Sequence, residues 1–116
     1  AITIQAAHAS QQAYQAHFSQ DEAWEKQANI LAEIESAQGQ VVIADLVLEL
    51  STKLFDTLGA SATSREKSLD RFWRNARVIS SHNPIIYKEK SIGDWEVNGT
   101  EPIYVWQIGG GEKQKD

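Results

Sequence analysis

His82 stands in the run Ser80-Ser81-His82-Asn83-Pro84, an imidazole beside a carboxamide at the point where a proline restarts the chain. Imidazole titrates nearer neutrality than any other side chain, so such a residue can serve as hydrogen-bond donor or acceptor. Taken alone, a histidine before a proline turn is more often solvated or capping than catalytic. Arg71, Arg74 and Arg77 lie along one stretch; they suit an anionic group, but Asp70 and Arg74 stand at i and i+4, the spacing of an ion pair on a helix surface. His8 and His17 offer no third ligand, so no metal site is expected. With no cysteine in the chain, disulfides, thiolate catalysis and Cys-based zinc modules are excluded, which fits a reducing compartment; the cytoplasm is the expected location.

The elements that must position these residues are helical. The 116 residues fit one domain, and a hydrophobic fraction of 41% with 23% charged residues is that of a soluble globular chain. No apolar run approaches the roughly 20 residues of a membrane helix, and Ala1-Ile2-Thr3-Ile4-Gln5 is not the start of a signal peptide. A net charge of -5 argues against a nucleic-acid partner, whose phosphates call for an excess of Lys and Arg.

The first helix is expected from about Ile2 to Phe18, with a small-residue face of Ala6, Ala9, Ala13 and Ala16. Asp21 and Glu22 sit where they favour the positive end of the next helix. From there Ile30, Ile34, Ala37, Val41, Ala44, Leu48, Phe55 and Leu58 recur at spacings of three and four, and Leu31, Val42, Leu46, Leu50 and Leu54 widen the stripe. That pattern predicts one very long helix, buried on more than one face. Gly39 within it predicts a close crossing or a mild kink. Gly59-Ala60-Ser61 reads as a glycine helix end, with the hydroxyls of Ser61 to Ser64 available to start the next helix. Leu69, Phe72, Trp73, Ala76 and Ile79 then form the inner face of a third helix, in which Phe72 and Trp73 should fill the core. Asn83 as N-cap and Pro84 in the first helical position begin a fourth, closed by Asn98-Gly99. The segment from Ile103 to Trp106 is expected to be extended, before a flexible tail at 109–116. The fold class is therefore all-α: an antiparallel bundle of about four helices, one of them very long, in a single domain over 1–108.

Leu54-Phe55-Asp56-Thr57-Leu58-Gly59-Ala60-Ser61, followed by Asp70-Arg71-Phe72-Trp73-Arg74-Asn75-Ala76-Arg77, resembles the C-terminal helical domain of acyl-CoA dehydrogenases. The continuation through Val78-Ile79-Ser80-Ser81-His82-Asn83-Pro84, Tyr87-Lys88, Ile92-Gly93-Asp94 and Asn98-Gly99 is similar to the monooxygenase branch of that superfamily, which includes dibenzothiophene and dimethylsulfone-type oxygenases and amine N-hydroxylases. The likeness is strong from Leu54 to Pro102 and only topological before. Dehydrogenases of the superfamily often carry a Glu-Gly-Thr sequence in the turn after the third helix, and its carboxylate removes a substrate proton. Here that turn holds no carboxylate, so a dehydrogenase using this position would lack its base.

What the resemblance implies is specific. In the monooxygenase branch the matching histidine lies by the flavin, making His82 the leading catalytic candidate with Asn83 beside it. Gly59, Ala60 and Ser61 are implied to approach the flavin of a neighbouring subunit, where a glycine turn with hydroxyls can present donors to phosphate. The implied parent is a two-component enzyme that takes reduced FMN from a partner flavin reductase and oxygenates a small sulfur or nitrogen compound, as a homo-oligomer, expected to be a tetramer. Some sulfur-oxidising relatives carry a second histidine where this chain has Ile79 and an aspartate where it has Asn83. The alternatives are an FAD-dependent acyl-CoA dehydrogenase domain and a non-catalytic helical oligomerisation module.

Overall fold

Helix α1, Ile2–His17, buries the small-residue face expected of it: Ala9 and Ala16 are covered and Ala6 and Ala13 half-covered. Alanines at the contact let two helix backbones approach closely, and the partner surface offers the same kind of residue in Ala28 and Ala37, together with Ile30 and Ile34. That surface belongs to α2, Glu22–Leu58. The reversal between them spans residues 18–21. Ser19 Oγ donates to the Ala16 carbonyl at 2.6 Å and accepts the Asp21 N–H at 3.1 Å. Gln20 takes a positive φ of 60°. The Asp21 carboxylate accepts the Trp24 N–H at 3.0 Å, so the expected N-cap of the long helix is present.

The structure, a computed structural model, describes residues 1–104. Its axis is α2, whose 37 residues at ~1.5 Å each span roughly 55 Å, nearly the 60 Å long dimension of the molecule. A short 3-10 turn, Ala60–Thr63, then leads to α3, Asp70–His82, and α4, Ile85–Asn98. Each of these packs on α2, while α3 and α4 hardly touch one another. Because α3 starts at the C-terminal end of α2 and its later residues face Gln40 to Val47, it runs antiparallel to the lower half of that helix. The chain continues the same way, α4 meeting α2 at Glu33 and the segment after it meeting Lys26. The all-α antiparallel arrangement with one very long helix is thus the observed fold. No helix among the described residues is long and apolar enough to cross a membrane.

Helix α2 continues through Gly39 as expected, and of the two readings there the close crossing is not seen among the described residues, since a Cβ built at Gly39 meets nothing within 4 Å. Two local expectations are corrected. The hydroxyls of Ser61 to Ser64 do not start α3, whose N-cap is Leu69 without a side-chain bond. Phe72 and Trp73 are exposed rather than core: among the described residues α3 packs chiefly on α2, so its stripe of contact is narrow and leaves the flank with the two rings in solvent. Phe72 is instead overlain by the Arg71 guanidinium, 5.0 Å from the ring centre. Of the segment expected to be extended, Ile103 and Tyr104 have no regular structure; Val105, Trp106 and the tail at 109–116 lie outside the described residues.

Candidate functional site

The α3–α4 turn is held by its surroundings more than by itself. His82 is the last residue of α3 and Asn83 its C-cap, with extended φ and ψ of -112° and 93°. Pro84, not Asn83, is the N-cap of α4, so that helix starts one residue later than expected, and no side chain caps it. A proline here forces its predecessor out of the helical region, which ends α3 where it does. The His82 ring is exposed and makes no hydrogen bond or ion pair among the described residues.

Asn83 lines two clefts of opposite character. The first, about 260 Å³, lies between α2 and the end of α3; its walls are Ile43, Ala44, Val47, Ala76, Ile79 and Ile85, with Gln40, Ser80 and Asn83 as the polar groups. No charged residue lines it. The second, about 400 Å³, lies between α4, the N-terminal half of α2 and the segment after α4, and includes Glu33, Lys88, Lys90, Asp94 and Glu101. Ile79 and Asn83 stand four residues apart on one side of α3, so both fall on the wall of the uncharged cleft.

Gly59, Ala60 and Ser61 form the other candidate. Gly59 ends α2 with φ 73° and ψ -179°, its N–H donating to the Phe55 carbonyl at 3.1 Å. That backbone region is almost reserved for glycine, and a side chain there would cost about 1–3 kcal/mol. Ser61 Oγ accepts from Lys67 Nζ at 3.3 Å, so a hydroxyl and an ammonium face the same exposed loop. The structure does not bring this loop to His82. The two lie at opposite ends of α3, whose 13 residues amount to roughly 20 Å of helix.

The arginines behave as surface groups. Arg74 pairs with Asp70 at 3.0 Å, both exposed, the i, i+4 pair anticipated from their spacing. His17 Nδ1 lies 2.8 Å from Glu25 Oε1. Sequence reasoning missed two ties between distant segments: Lys88 with Glu33 at 3.0 Å and Lys26 with Glu101 at 2.7 Å. Neither has a local signal, since each joins residues far apart in the chain. Glu101 holds the Lys26 ammonium above its usual pKa, chiefly through their hydrogen bond. Burial, with Glu101 and Glu33 nearby, raises the Tyr104 phenol.

The family of this helical bundle, with its glycine-ended long helix and the turn after His82, is shown by comparison with known proteins. Residues 1–85 match the family model "Acyl-CoA dehydrogenase, C-terminal domain", and the chain belongs to that family. It is 36% identical over 64 residues to a dibenzothiophene monooxygenase of Rhodococcus erythropolis, covering 55% of this chain and 15% of that protein. It is 30% identical over 88 residues to a probable FMNH2-dependent monooxygenase, SfnC, of Pseudomonas putida, covering 71% and 22%. The crystal structure of FMN-bound TdsC from Paenibacillus sp. A11-2 superposes with a TM-score of 0.60 at 28% identity, over 87% of this chain and 28% of that one. The same enzyme has been solved with FMN and indole. The chain therefore spans between 15% and 28% of the length of these relatives.

Proposed function

We propose that this chain, over residues 1–108 with a tail at 109–116, is the C-terminal domain of a larger two-component flavin-dependent monooxygenase. In this reading the complete enzyme oxygenates a small organosulfur or nitrogen compound with O2 and reduced FMN delivered by a separate reductase. The observation that carries it is the α3–α4 turn. There an exposed, unpartnered imidazole is followed by a carboxamide on the wall of an apolar cleft free of charged residues. Its similarity to an FMN-bound monooxygenase, also solved with indole, and to a probable FMNH2-dependent one supports the cofactor and a small apolar substrate.

The donor sets fit parts of FMN. His82 and Asn83 offer ring-type hydrogen bonding beside apolar walls, and the loop of Gly59, Ala60 and Ser61, with Lys67 on the Ser61 hydroxyl, offers the hydroxyl and cation that a phosphate takes. Because these lie at opposite ends of α3, we assign the loop to the flavin of a neighbouring subunit. When bound, the reduced flavin supplies the electrons that activate O2. The contribution of this chain is placement: the His82 imidazole can donate or accept a hydrogen bond, Asn83 orients a polar atom without adding charge, and Ile43, Val47 and Ile79 give the cleft an apolar wall. Among the described residues no carboxylate lines that cleft, so these walls offer no carboxylate base for removing a proton from an acyl thioester.

Assembly follows from the same reading. The apolar surface of the lower half of α2 needs a cover, and we propose a homo-oligomer, a tetramer, that provides it. We propose a cytoplasmic location, the reducing compartment that a chain without cysteine fits.

The test is His82→Ala in the complete protein, supplied with reduced FMN, O2 and a panel of aromatic sulfur and nitrogen heterocycles. Oxygenated product should fall by about 100-fold with the oligomer intact by light scattering. Undiminished product would remove His82 from the mechanism, and failure of the wild-type protein to bind FMN would favour a plain oligomerisation module.

A further inference from the structure

We propose that Glu33 and Lys88 are a positioning pair for His82 and Asn83: their ion pair sets where the α3–α4 turn sits against α2, and hence where the imidazole and carboxamide are presented. The inference rests on the reading of that turn as the functional site.

The turn has little to hold it locally. No side chain caps either helix end that meets there, and α3 and α4 hardly contact each other. Its position is therefore inherited from two anchors on α2. On the α3 side the anchor is the packing of α3 on α2, where Ala76 is half-buried and an open apolar cleft lies between the exposed Ile79 and Ile43, Ala44 and Val47. On the α4 side it is ionic: Lys88 Nζ donates to Glu33 Oε1 at 3.0 Å, a side-chain hydrogen bond that ties α4 directly to α2. Lys88 is in the first turn of α4, so the rigid helix carries the constraint straight back to Pro84 and Asn83.

The burial of this pair separates it from the others. Its side chains are only 21% and 19% exposed, while the remaining Lys and Arg pairs among the described residues keep half or more of each side chain in solvent. Exposed pairs contribute little because water screens them and their long side chains stay mobile. A largely dehydrated pair is different: removing one partner strands a charge, and the stranded group moves to find solvent. Here it would move by shifting α4, and the turn with it. Glu33 also forms part of the second cleft, on whose rim Asn83 stands, so the pair and the turn share one wall.

The experiment uses the complete protein. Glu33→Gln, Lys88→Met, the charge swap Glu33→Lys with Lys88→Glu, and Lys88→Arg are compared by hydrogen exchange of the peptide spanning residues 82–91 and by the pH profile of carbethoxylation at His82. The two single neutralisations should speed exchange of that peptide by tenfold or more and displace the His82 profile. Lys88→Arg and the swap should return both to within threefold of wild type. As a control, Arg74→Gln, which breaks the exposed pair on the same α3, should change neither. Unchanged exchange and profile in both single variants, or a swap no better than the singles, would overturn the proposal. If a single variant unfolds, the swap still decides it: an ionic role predicts that the swap restores wild-type behaviour, and a merely space-filling role predicts that it does not. The two readings fail separately: these readouts need no turnover, whereas the role of His82 in oxygenation is judged by product.

Discussion

The two halves of α2 are alike in sequence and unlike in structure. From Glu22 to Gly39 the helix lies against α1 and contains Ala28, Ile30, Ile34, Ala37 and Gly39, all buried. From Gln40 to Leu58 it is just as apolar, yet not one residue is buried, and Val42, Ile43, Leu46, Val47, Leu50 and Leu58 stand exposed. The difference is the partner. Among the described residues the upper half has α1 on one side and α4 on another, whereas the lower half has α3 and, at its end, the short 3-10 turn. Hydrophobic periodicity records which residues must be covered; it does not record whether this chain or another protein covers them.

The largest expected effect would break that comparison if it failed. Ile34→Ala, at a residue 3% exposed, should cost about 2–5 kcal/mol in equilibrium unfolding, through lost burial and the cavity left behind. Leu50→Ala, at 64% exposed, should stay within about 0.5 kcal/mol for this chain. Measured on the complete protein by sedimentation, however, Leu50→Ala should weaken assembly. Equal costs at the two sites would mean that the lower half of α2 is covered from within.

Gly39 marks the boundary between the halves and offers a smaller, sharper probe. Because nothing stands within 4 Å of an added Cβ, Gly39→Ala should stabilise the chain by about 0.5–1 kcal/mol, as alanine restricts the unfolded state and favours helix. If the same substitution impairs assembly of the complete protein, a neighbouring backbone approaches at Gly39 there.

The smallest effect concerns the segment after α4, which ties down the upper half. The folded state holds both the Lys26 ammonium and the Tyr104 phenol above their ordinary values of 10.5 and 10.0. A group whose pKa is raised on folding contributes fully below its unfolded pKa, and the contribution is lost as pH rises through the folded one. Stability should therefore begin to fall above about pH 10, as the Lys26–Glu101 pair discharges and a phenolate forms beside Glu101 and Glu33. In denaturant titrations at pH 8 and pH 11, Tyr104→Phe should lose less than wild type over that interval.

Much of this was legible in the residues. The Asp21 cap, the alanine face of α1, the glycine end at Gly59 and the Asn98-Gly99 close all follow from preferences acting over one or two helical turns. Even the Asp70–Arg74 pair could be read, because i, i+4 neighbours meet in any helix. The resemblance put His82 and Asn83 in a turn between helices; Asn83 is in that turn, and His82 is the last residue of the helix before it. Phe72 and Trp73 could not be read correctly, because an apolar residue on a helix face predicts burial only where a second element reaches that face. Glu33 with Lys88, and Lys26 with Glu101, left no trace in the local pattern.

Sequence alone thus determined the number and order of the helices, the cap of α2 and the glycine ends of α2 and α4, since capping, periodicity and backbone preference are short-range; the starts of α3 and α4 were not among these. Tertiary structure alone decided that Asn83 lines both an uncharged and a charged cleft, that the glycine loop and the histidine lie at opposite ends of α3, and which charges are dehydrated together. Those outcomes depend on which surfaces meet across tens of residues, a matter of packing geometry for which no spacing rule exists.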